Sequence, residues 1–318
     1  MISILFLGYS NLLKNRIIPI LDRLNLSSVS IAKFEQQEWD DRYKQINLPV
    51  TLYDNYEDGL KQFKGEIVYV STVNSTHYKY SKRSLMSGFH TIIDKPATLC
   101  LAETEDLLSI ARQKKLLLSE AVVYLFHPQL KQLSSIFHRY NDYPKLLTVH
   151  FSMPPFSCDN FRYKKELGGG AILDTTSYAV SIARYFFGEP PLTAATILHE
   201  IHENGVEIEY SLEMKYPGGK CLIGHFGFNT EYINQVILMG NRTNVVLNRI
   251  FTTPENMEND FIITHENIVI QEKSMTANSF ELYLRDIIEQ LYSQNFQNSY
   301  SSLLADAKAR ELITNNII

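Results

Sequence analysis

What the chain has little of narrows its possibilities first. Its three cysteines, Cys100, Cys158 and Cys221, are odd in number and far apart. They make no disulfide framework, and a reducing cytoplasm is the expected setting. There is no C-x-x-C and no H-E-x-x-H, and the nine histidines are scattered, so no metal is expected. Positive charge is not in excess: 30 Lys and Arg stand against 35 Asp and Glu, which leaves no electrostatic footprint for nucleic acid. No apolar run approaches the roughly 20 residues that span a bilayer, so no membrane partner is expected. The opening "MISILFLG" lacks a basic segment and is too short an apolar run for a secretory signal. No repeat and no flexible linker interrupts the chain. What is present is the composition of a globular protein, 45% apolar and 20% charged, in 318 residues, long enough for two domains.

The first 120 residues alternate strand-like and helix-like segments. "ISILFLG" is a continuous apolar run ending in glycine, as a strand buried on both faces requires. "NRIIPILDRL" has helical spacing, with Pro19 tolerable near its first turn. "VSIAKF", "EIVYVST" and "HTIIDKP" read as further strands. "NYEDGLKQF", "HYKYSKRSLMSG" and "TEDLLSIARQKK" read as helices, the last able to be capped by Thr104. "LLLSEAVVYLF" reads as a strand running to a turn at Pro128. Such alternation predicts a Rossmann-type, doubly wound parallel sheet over residues 1–120.

After about residue 121 the rhythm changes. "KLLTVHFSM", "TAATILHE", "VEIEYSLEMKY", "KCLIGHFGF" and "INQVILMG" are longer strand candidates, and "KYPGGK" between two of them signals an antiparallel hairpin. Only "DTTSYAVSIARYFFG" reads as a helix there, until the C-terminal pair "FELYLRDIIEQLYS" and "SYSSLLADAKARELI". Residues 121–318 are therefore expected to form an α/β domain with a large, open, mostly antiparallel sheet, its C-terminal helices packing back toward the first domain.

The turn "GYSNLL" stands where a dinucleotide fingerprint G-x-G-x-x-G/A would stand, with only its first glycine kept. Gly8, Ser10, Asn11 and Leu12 are the candidate cofactor contacts, and Leu13 in the last glycine position implies a looser helix–strand fit. At the end of the second strand, where an acid usually meets the ribose diol, the chain has Lys33 or Phe34. A cation there suits a 2′-phosphate, which favours NADP over NAD. A solvated lysine is the alternative.

Seven segments in sequence order resemble the Gfo/Idh/MocA family of NAD(P)-dependent oxidoreductases. "GYSNLLKNRIIPIL" resembles its glycine-loop opening, "YDNYEDGL" the segment before its third strand, and "VSTVNSTHY" its T-P-N-x-x-H turn. "SGFHTIIDKPAT" resembles its E-K-P signature, and "SEAVVYLFHPQ" is similar to the E-A-x-x-Y-R-F-H-P-Q run of its sugar-oxidising branch. "DNFRYKKELGGGAILDTTSYAVSIARYFFGEP" resembles that branch's N-x-R…G-G-G-A-L-x-D-x-G-x-Y segment. "HFGFNTEY" with "NRIFTTP" resembles a stretch of reductases of nucleotide-linked keto-sugars. Val73, Asp94, Leu125 and Thr176 depart from the family pattern.

The resemblance implies hydride transfer between a nicotinamide and a sugar carbon, with no metal. Lys95 of "DKP" would hold the nicotinamide ribose and ease the developing alkoxide. Tyr178 would exchange the hydroxyl proton. A phenol's ordinary pKa of about 10 suits neutral pH poorly, so a cation such as Lys95 must help it. Asp174, four residues before Tyr178, shares its helix face and would fix the substrate hydroxyl or the tyrosine. A helix-capping Asp174 with a core Tyr178 is the bland alternative. Thr72, Asn74 and His77 of the "TVNSTH" turn and Arg162 of "NFR" complete the candidate cofactor contacts. A turn histidine and a surface salt bridge are the alternatives for the last two. The expected substrate is a sugar or nucleotide-linked keto-sugar, the expected assembly a homo-oligomer. A catabolic aldose dehydrogenase and a non-catalytic dinucleotide sensor remain as competing readings.

Overall fold

The computed structural model describes residues 2–318. The chain divides into two compact units, the first comprising the chain up to Ala121 with Phe280–Leu304, the second Val122–Ser279 with Ala305–Ile318.

The first unit is a six-stranded parallel sheet built from β1 (Ile2–Leu7), β2 (Leu26–Ala32), β3 (Val50–Tyr53), β4 (Ile67–Val70), β5 (His90–Ile93) and β6 (Leu118–Glu120), in the order β3-β2-β1-β4-β5-β6. The helices α1 (Tyr56–Gln62), α2 (His77–Met86) and α3 (Leu101–Lys114) supply crossovers. Leu5, Phe6 and Leu7 of β1 have no exposed surface, as a central parallel strand covered on both faces demands. Burying each such side chain contributes about 1.5–3 kcal/mol. The strand order reverses between β1 and β4, the point at which open sheets of this kind leave a crevice for ligands. Helix α6 (Ser279–Ser293) and the start of α7 (Gln297–Asn315) complete this unit. Tyr283 donates to Ser119 Oγ at 2.9 Å, and Tyr300 to the carbonyl of Leu116 at 2.5 Å.

The second unit is an eight-stranded sheet of β7 (Leu146–Ser152), β8 (Thr193–Ile201), β9 (Glu207–Lys215), β10 (Cys221–Gly227), β11 (Ile233–Met239), β12 (Thr243–Asn248), β13 (Asp260–His265) and β14 (Ile268–Lys273). Its order is β14-β13-β12-β11-β7-β10-β9-β8, antiparallel throughout except for the β7–β10 pair. Alternate residues of β11, Asn234, Val236 and Leu238, are buried, the pattern of a sheet covered on one face. That cover is α5 (Ala171–Phe187), which packs on β7, β9 and β10. "KYPGGK" makes the β9–β10 hairpin, with Gly218 and Gly219 at positive φ.

The structure corrects several sequence expectations. "QLKQLSSIFHR" forms α4 (Gln129–Arg139), burying Leu130, Leu133, Ile136 and Phe137 along one stripe, where no helix was expected. "LLLSEAVVYLF" is strand only over Leu118–Glu120 and then turns, because its apolar residues are equally at home in a buried turn. The short strands β3, β12, β13 and β14 escaped notice. Helix α3 begins at Leu101, so Thr104 lies inside its first turn, sharing a hydrogen bond with the Thr98 hydroxyl at 2.6 Å instead of capping. "NRIIPILDRL" is helical but not α-helical: a π turn at Leu13–Ile17 passes into a tight 3₁₀ stretch at Ile18–Arg23. Leu13 is fully buried where a glycine or alanine would fit close to the sheet. A wider turn accommodates it.

Candidate active site

In the first unit the candidate residues gather at the carboxyl ends of β1, β4 and β5. Gly8 leaves β1 at φ +115, its N–H donating to Ala32 O at 2.9 Å. A Cβ at that position would lie 2.0 Å from the carbonyl oxygen of Ser71, so only glycine permits the crossing. Ser10 Oγ accepts the N–H of Leu13 at 3.0 Å, capping the helical turn, and shares a hydrogen bond with Ser71 Oγ at 2.8 Å. Asn11 is exposed, Leu12 half-buried.

Ser71 in turn donates to Asp94 Oδ2 at 2.5 Å, and Tyr69 to Asp94 Oδ1 at 2.7 Å. Burial pushes this carboxyl up; the two hydroxyl donors and the charges of His77 and Lys95 oppose it. These hydroxyls explain how aspartate serves where the family pattern has the longer glutamate. Lys95 follows directly and is half-buried, its peptide bond to Pro96 cis. Beyond it, the N–H of Ala97 donates to Glu120 Oε1 at 3.1 Å. The turn carrying Lys95 is thus tied to β4 and β6 and cannot drift.

His77 is a correction. Its ring is fully buried, with Nδ1 2.8 Å from Pro96 O and Nε2 3.1 Å from Thr72 O. It pins two turns together and offers no atom to a cofactor. Asn74 is buried in the same turn, while Thr72 remains partly exposed and accepts from Thr76 Oγ1 at 2.8 Å.

Lys33, just past β2, is buried. Its ammonium lies 3.4 Å from Asp54 Oδ1, 3.3 Å from the carbonyl of Glu35 and 5.9 Å from the Trp39 ring centre. Trp39 Nε1 donates to the same Asp54 oxygen at 3.0 Å, and the two donors, Trp39 first, hold the Asp54 carboxyl below its ordinary range. Phe34 is exposed, its ring centre 6.4 Å from that of Tyr56. These residues fit a dinucleotide: a turn at Gly8 that no Cβ fits, at the sheet's reversal point, and an ammonium at the end of β2. The fit departs from the usual one where Leu13 widens the helix.

In the second unit two of the three glycines of "GGGAILD" do specific work. Gly170, at φ +110, donates to Arg162 O at 2.9 Å, and a Cβ on Gly169 would lie 2.5 Å from that same oxygen. The loop of residues 160–167 therefore closes onto the start of α5. Its consequence is an ion pair, Arg162 Nε to Asp174 Oδ2 at 2.9 Å, with Asp174 almost wholly buried. The guanidinium also lies over the rings of Phe156 and Phe161, 4.8 Å from each. Burial works against its charge, but Asp174 outweighs that and raises its pKa, with Tyr178 adding in the same direction. Arg162 is thus committed to Asp174 and neighbours Tyr178.

Helix α5 is buried nearly all round despite its hydroxyls. Thr175 and Thr176 donate to carbonyls one turn back, each at 2.7 Å, which satisfies them internally. Tyr178 is half-buried among aromatic rings, with centres 4.6 Å from Phe151, 4.8 Å from Phe251 and 6.0 Å from Tyr124. The sequence did not single out Phe151, Phe251 or Tyr124. They belong to strand, loop and turn segments whose aromatic content looks like ordinary core.

The loop bearing Phe251 is held from below by buried amides. Gln129 Nε2 donates to Ile250 O and to Thr253 Oγ1, both at 3.0 Å, and Asn259 Nδ2 donates to Gln129 Oε1 at 2.8 Å. The glutamine of "FHPQ" is therefore a support of the site's wall. Among the described residues no group of three or more His, Cys, Asp or Glu side chains could hold a metal ion. None of the helices there is long and apolar enough to cross a membrane.

Comparison with known proteins agrees with this layout. A family model described as oxidoreductase family, NAD-binding Rossmann fold, matches residues 2–122. The GFO/IDH/MocA C-terminal domain matches residues 143–246. The dTDP-3,4-didehydro-2,6-dideoxy-α-D-glucose 3-reductase of Saccharopolyspora spinosa is 30% identical over 67% of this chain, an alignment spanning 64% of that enzyme. Its namesake from Actinomadura kijaniata is 26% identical over 88% of this chain and 82% of its own length. Among solved structures, KijD10, a 3-ketoreductase from Actinomadura kijaniata in complex with NADP and TDP-benzene, superposes with a TM-score of 0.92 at 23% identity, covering 99% of this chain and 98% of its own.

Proposed function

Because the chain belongs to the GFO/IDH/MocA oxidoreductase family, we propose that it reduces a nucleotide-linked keto-sugar with NADPH. The observation that carries this reading is the cluster on α5: a phenol, Tyr178, beside the Arg162–Asp174 ion pair and walled by three aromatic rings. The relatives that reduce dTDP-linked keto-sugars, and the NADP bound to KijD10, support the substrate class and the cofactor.

The dinucleotide, when bound, supplies the hydride. Gly8, Ser10, Asn11 and Leu12 form the loop that would receive its pyrophosphate, Thr72 and Asn74 would line the next turn, and Lys33 would meet a 2′-phosphate. Lys95, its turn fixed by Asp94 and Glu120, would hold the nicotinamide ribose. Tyr178 gives its hydroxyl proton to the carbonyl oxygen of the sugar, so that the ketone becomes an alcohol. Arg162 favours the phenolate left behind, because a neighbouring cation stabilises the charged form of an acid. Asp174 keeps the guanidinium in place. Self-association through the face of the second sheet opposite α5, where Ile197 and Ile223 are exposed, belongs to the same proposal.

A D-xylose 1-dehydrogenase (NADP(+)) of Haloferax volcanii, 26% identical over 70% of this chain, supports a second reading, oxidation of a free aldose by the same groups. Absorbance of the nicotinamide decides between them. The full chain is assayed with NADPH and dTDP-linked keto-sugars, and with NADP⁺ and free aldoses. NADPH oxidation is expected with the former, falling roughly 10²–10⁴-fold in Tyr178→Phe while NADPH binding persists. Turnover of aldoses alone selects the second reading. Binding of NADPH with no turnover of any substrate, and indifference to Lys95→Ala and Tyr178→Phe, selects a sensor.

A further inference from the structure

Six described residues other than glycine adopt positive φ. Lys115, Asn141 and Gln294 follow the ends of α3, α4 and α6, and Glu266 with Asn267 makes the β13–β14 turn, places where such backbone is ordinary. Arg249, at φ +54, has no such reason: it leaves β12 into a long loop. Holding a bulky residue there costs about 1 kcal/mol or more relative to glycine. Its N–H is held by Asn234 O at 2.5 Å.

The side chain so placed is exposed, with its guanidinium over the ring of Tyr232 at 4.9 Å. No carboxylate among the described residues pairs with it. The ring beneath it is immobilised. The Tyr232 hydroxyl shares a hydrogen bond with Thr252 Oγ1 at 3.0 Å and accepts from Asn234 Nδ2 at 3.1 Å. Asn234, 4% exposed, also donates to Thr252 Oγ1 at 2.8 Å and accepts the N–H of Phe251 at 3.1 Å. Gln129 and Asn259 brace the same loop from inside. An arginine that merely covered an aromatic ring would need none of this support.

Two residues further on, Phe251 packs its ring 4.8 Å from that of Tyr178. Two residues of chain span at most about 7 Å, comparable with a pyranose ring and its anomeric oxygen. We propose that Arg249 binds the pyrophosphate of a nucleoside-diphosphate-linked substrate whose sugar lies at Tyr178. This rests on the nucleotide-linked reading above. The guanidinium over Tyr232 is exposed, and its fork of N–H donors matches two phosphate oxygens.

Calorimetric titration of the full chain, saturated with NADPH, with dTDP and UDP as probes tests the assignment. Arg249→Gly is the informative variant, because glycine suits the left-handed backbone and its folded stability should be held or raised. The nucleoside diphosphate affinity of the parent is expected to fall roughly ten- to a hundredfold in Arg249→Gly, and less in Arg249→Lys. The melting temperature of the free protein and its NADPH affinity should not fall. Unchanged diphosphate affinity in Arg249→Gly overturns the assignment and leaves the reductase reading standing. A loss of NADPH affinity instead gives Arg249 to the cofactor and also overturns it. If the parent binds neither diphosphate but turns over a free sugar, the nucleotide-linked reading falls and this assignment with it.

Discussion

Arg162 and Asp174 form a 2.9 Å ion pair across the start of α5, and that pair sets a guanidinium beside the phenol of Tyr178. The carboxylate is buried, whereas the guanidinium keeps a quarter of its side chain in solvent. Breaking a fully buried pair costs about 3–5 kcal/mol, so Asp174→Asn, with one partner partly wet, is expected to cost about 2 kcal/mol. Urea unfolding measures it. In the nicotinamide assay the same variant should lower kcat more than it raises KM, since it loosens the cation that favours the phenolate. Arg162→Lys keeps charge but loses the planar fork and the guanidinium's place over Phe156 and Phe161. It should recover stability better than activity. If Asp174→Asn changes stability but leaves kcat intact, the pair is architecture only.

This cluster also shows what the sequence could and could not reveal. The spacing of Asp174 and Tyr178 along one helix was readable, because helical periodicity is local. So was the glycine run, although its purpose was not. That Gly169 makes room for the Arg162 carbonyl while Gly170 donates its N–H to it is a fact about a loop folding back, which no spacing encodes. The expected helper cation was Lys95; within its own unit Tyr178 also has the charge of Arg162 near it, which the sequence did not suggest. Phe251 and Gln129 were hidden for a related reason. One sits in the β12–β13 loop and the other at the start of α4, and only the tertiary fold brings them beneath the same wall. In the first unit, by contrast, β1, β2, β4 and β5 were plain, since parallel strands covered on both faces are unbroken apolar runs. The short or half-exposed strands β3 and β14 carry no such signal.

Gly8 yields a sharper test than its weak motif suggests. A methyl there meets the Ser71 carbonyl at 2.0 Å, and the backbone at φ +115 is one an alanine rarely adopts. Neither obstacle can be relieved by a side-chain rotation, since the obstructing atom is main chain. Where the backbone suits alanine, replacing glycine stabilises by ~0.4–1 kcal/mol; here, where it does not, Gly8→Ala should destabilise the protein by more than ~1 kcal/mol. Because β1 and β4 must part to admit the methyl, dinucleotide binding should be lost as well. Thermal melting and NADPH fluorescence report the two effects separately. Retention of both would mean that the crossing is looser than the geometry indicates.

Lys33 is already engaged by Asp54, and that competition predicts opposite effects from two substitutions. Lys33→Ala removes the cation available to a 2′-phosphate and should weaken NADPH, but not NADH, roughly three- to tenfold, the scale of an exposed ion pair. Asp54→Asn removes the internal competitor 3.4 Å from the ammonium and should strengthen NADPH relative to NADH. Dissociation constants for both dinucleotides in the three proteins give the ratio directly. A ratio that moves in neither variant removes Lys33 from cofactor selection.

Stability should fall in two separable steps on acidification. His127 is 1% exposed, and burial pushes its pKa down to about 4, with the Ala277 backbone opposing. Its Nδ1 accepts the N–H of Gln129 at 3.2 Å, which requires an unprotonated nitrogen. Above the ordinary histidine value of about 6.5 the ring is neutral in both states and the full stability is present. Between that pH and about 4 the unfolded chain takes a proton that the fold refuses, so stability declines. One proton corresponds to about 1.4 kcal/mol per pH unit. Burial also lowers His90 and His150, so His127→Asn, which can keep an acceptor for Gln129, should remove part of the slope and not all of it. The second step belongs to Asp142. Burial alone would raise its carboxyl, but the backbone N–H groups of Arg242, Asn241, Tyr143 and Thr243, at 2.9–3.0 Å, hold it well below the usual range. Its folded pKa being depressed, its contribution is complete above the ordinary aspartate value of about 3.9 and is lost as the pH falls further. Asp142→Asn should lower stability at neutral pH and reduce the drop below pH 4, the remainder belonging to other depressed carboxyls such as Asp40 and Asp54. Urea unfolding from pH 7.5 to 3 in the parent and the two variants distinguishes the steps, and a parent whose stability is flat from pH 6.5 to 4.5 would contradict the assignment to His127.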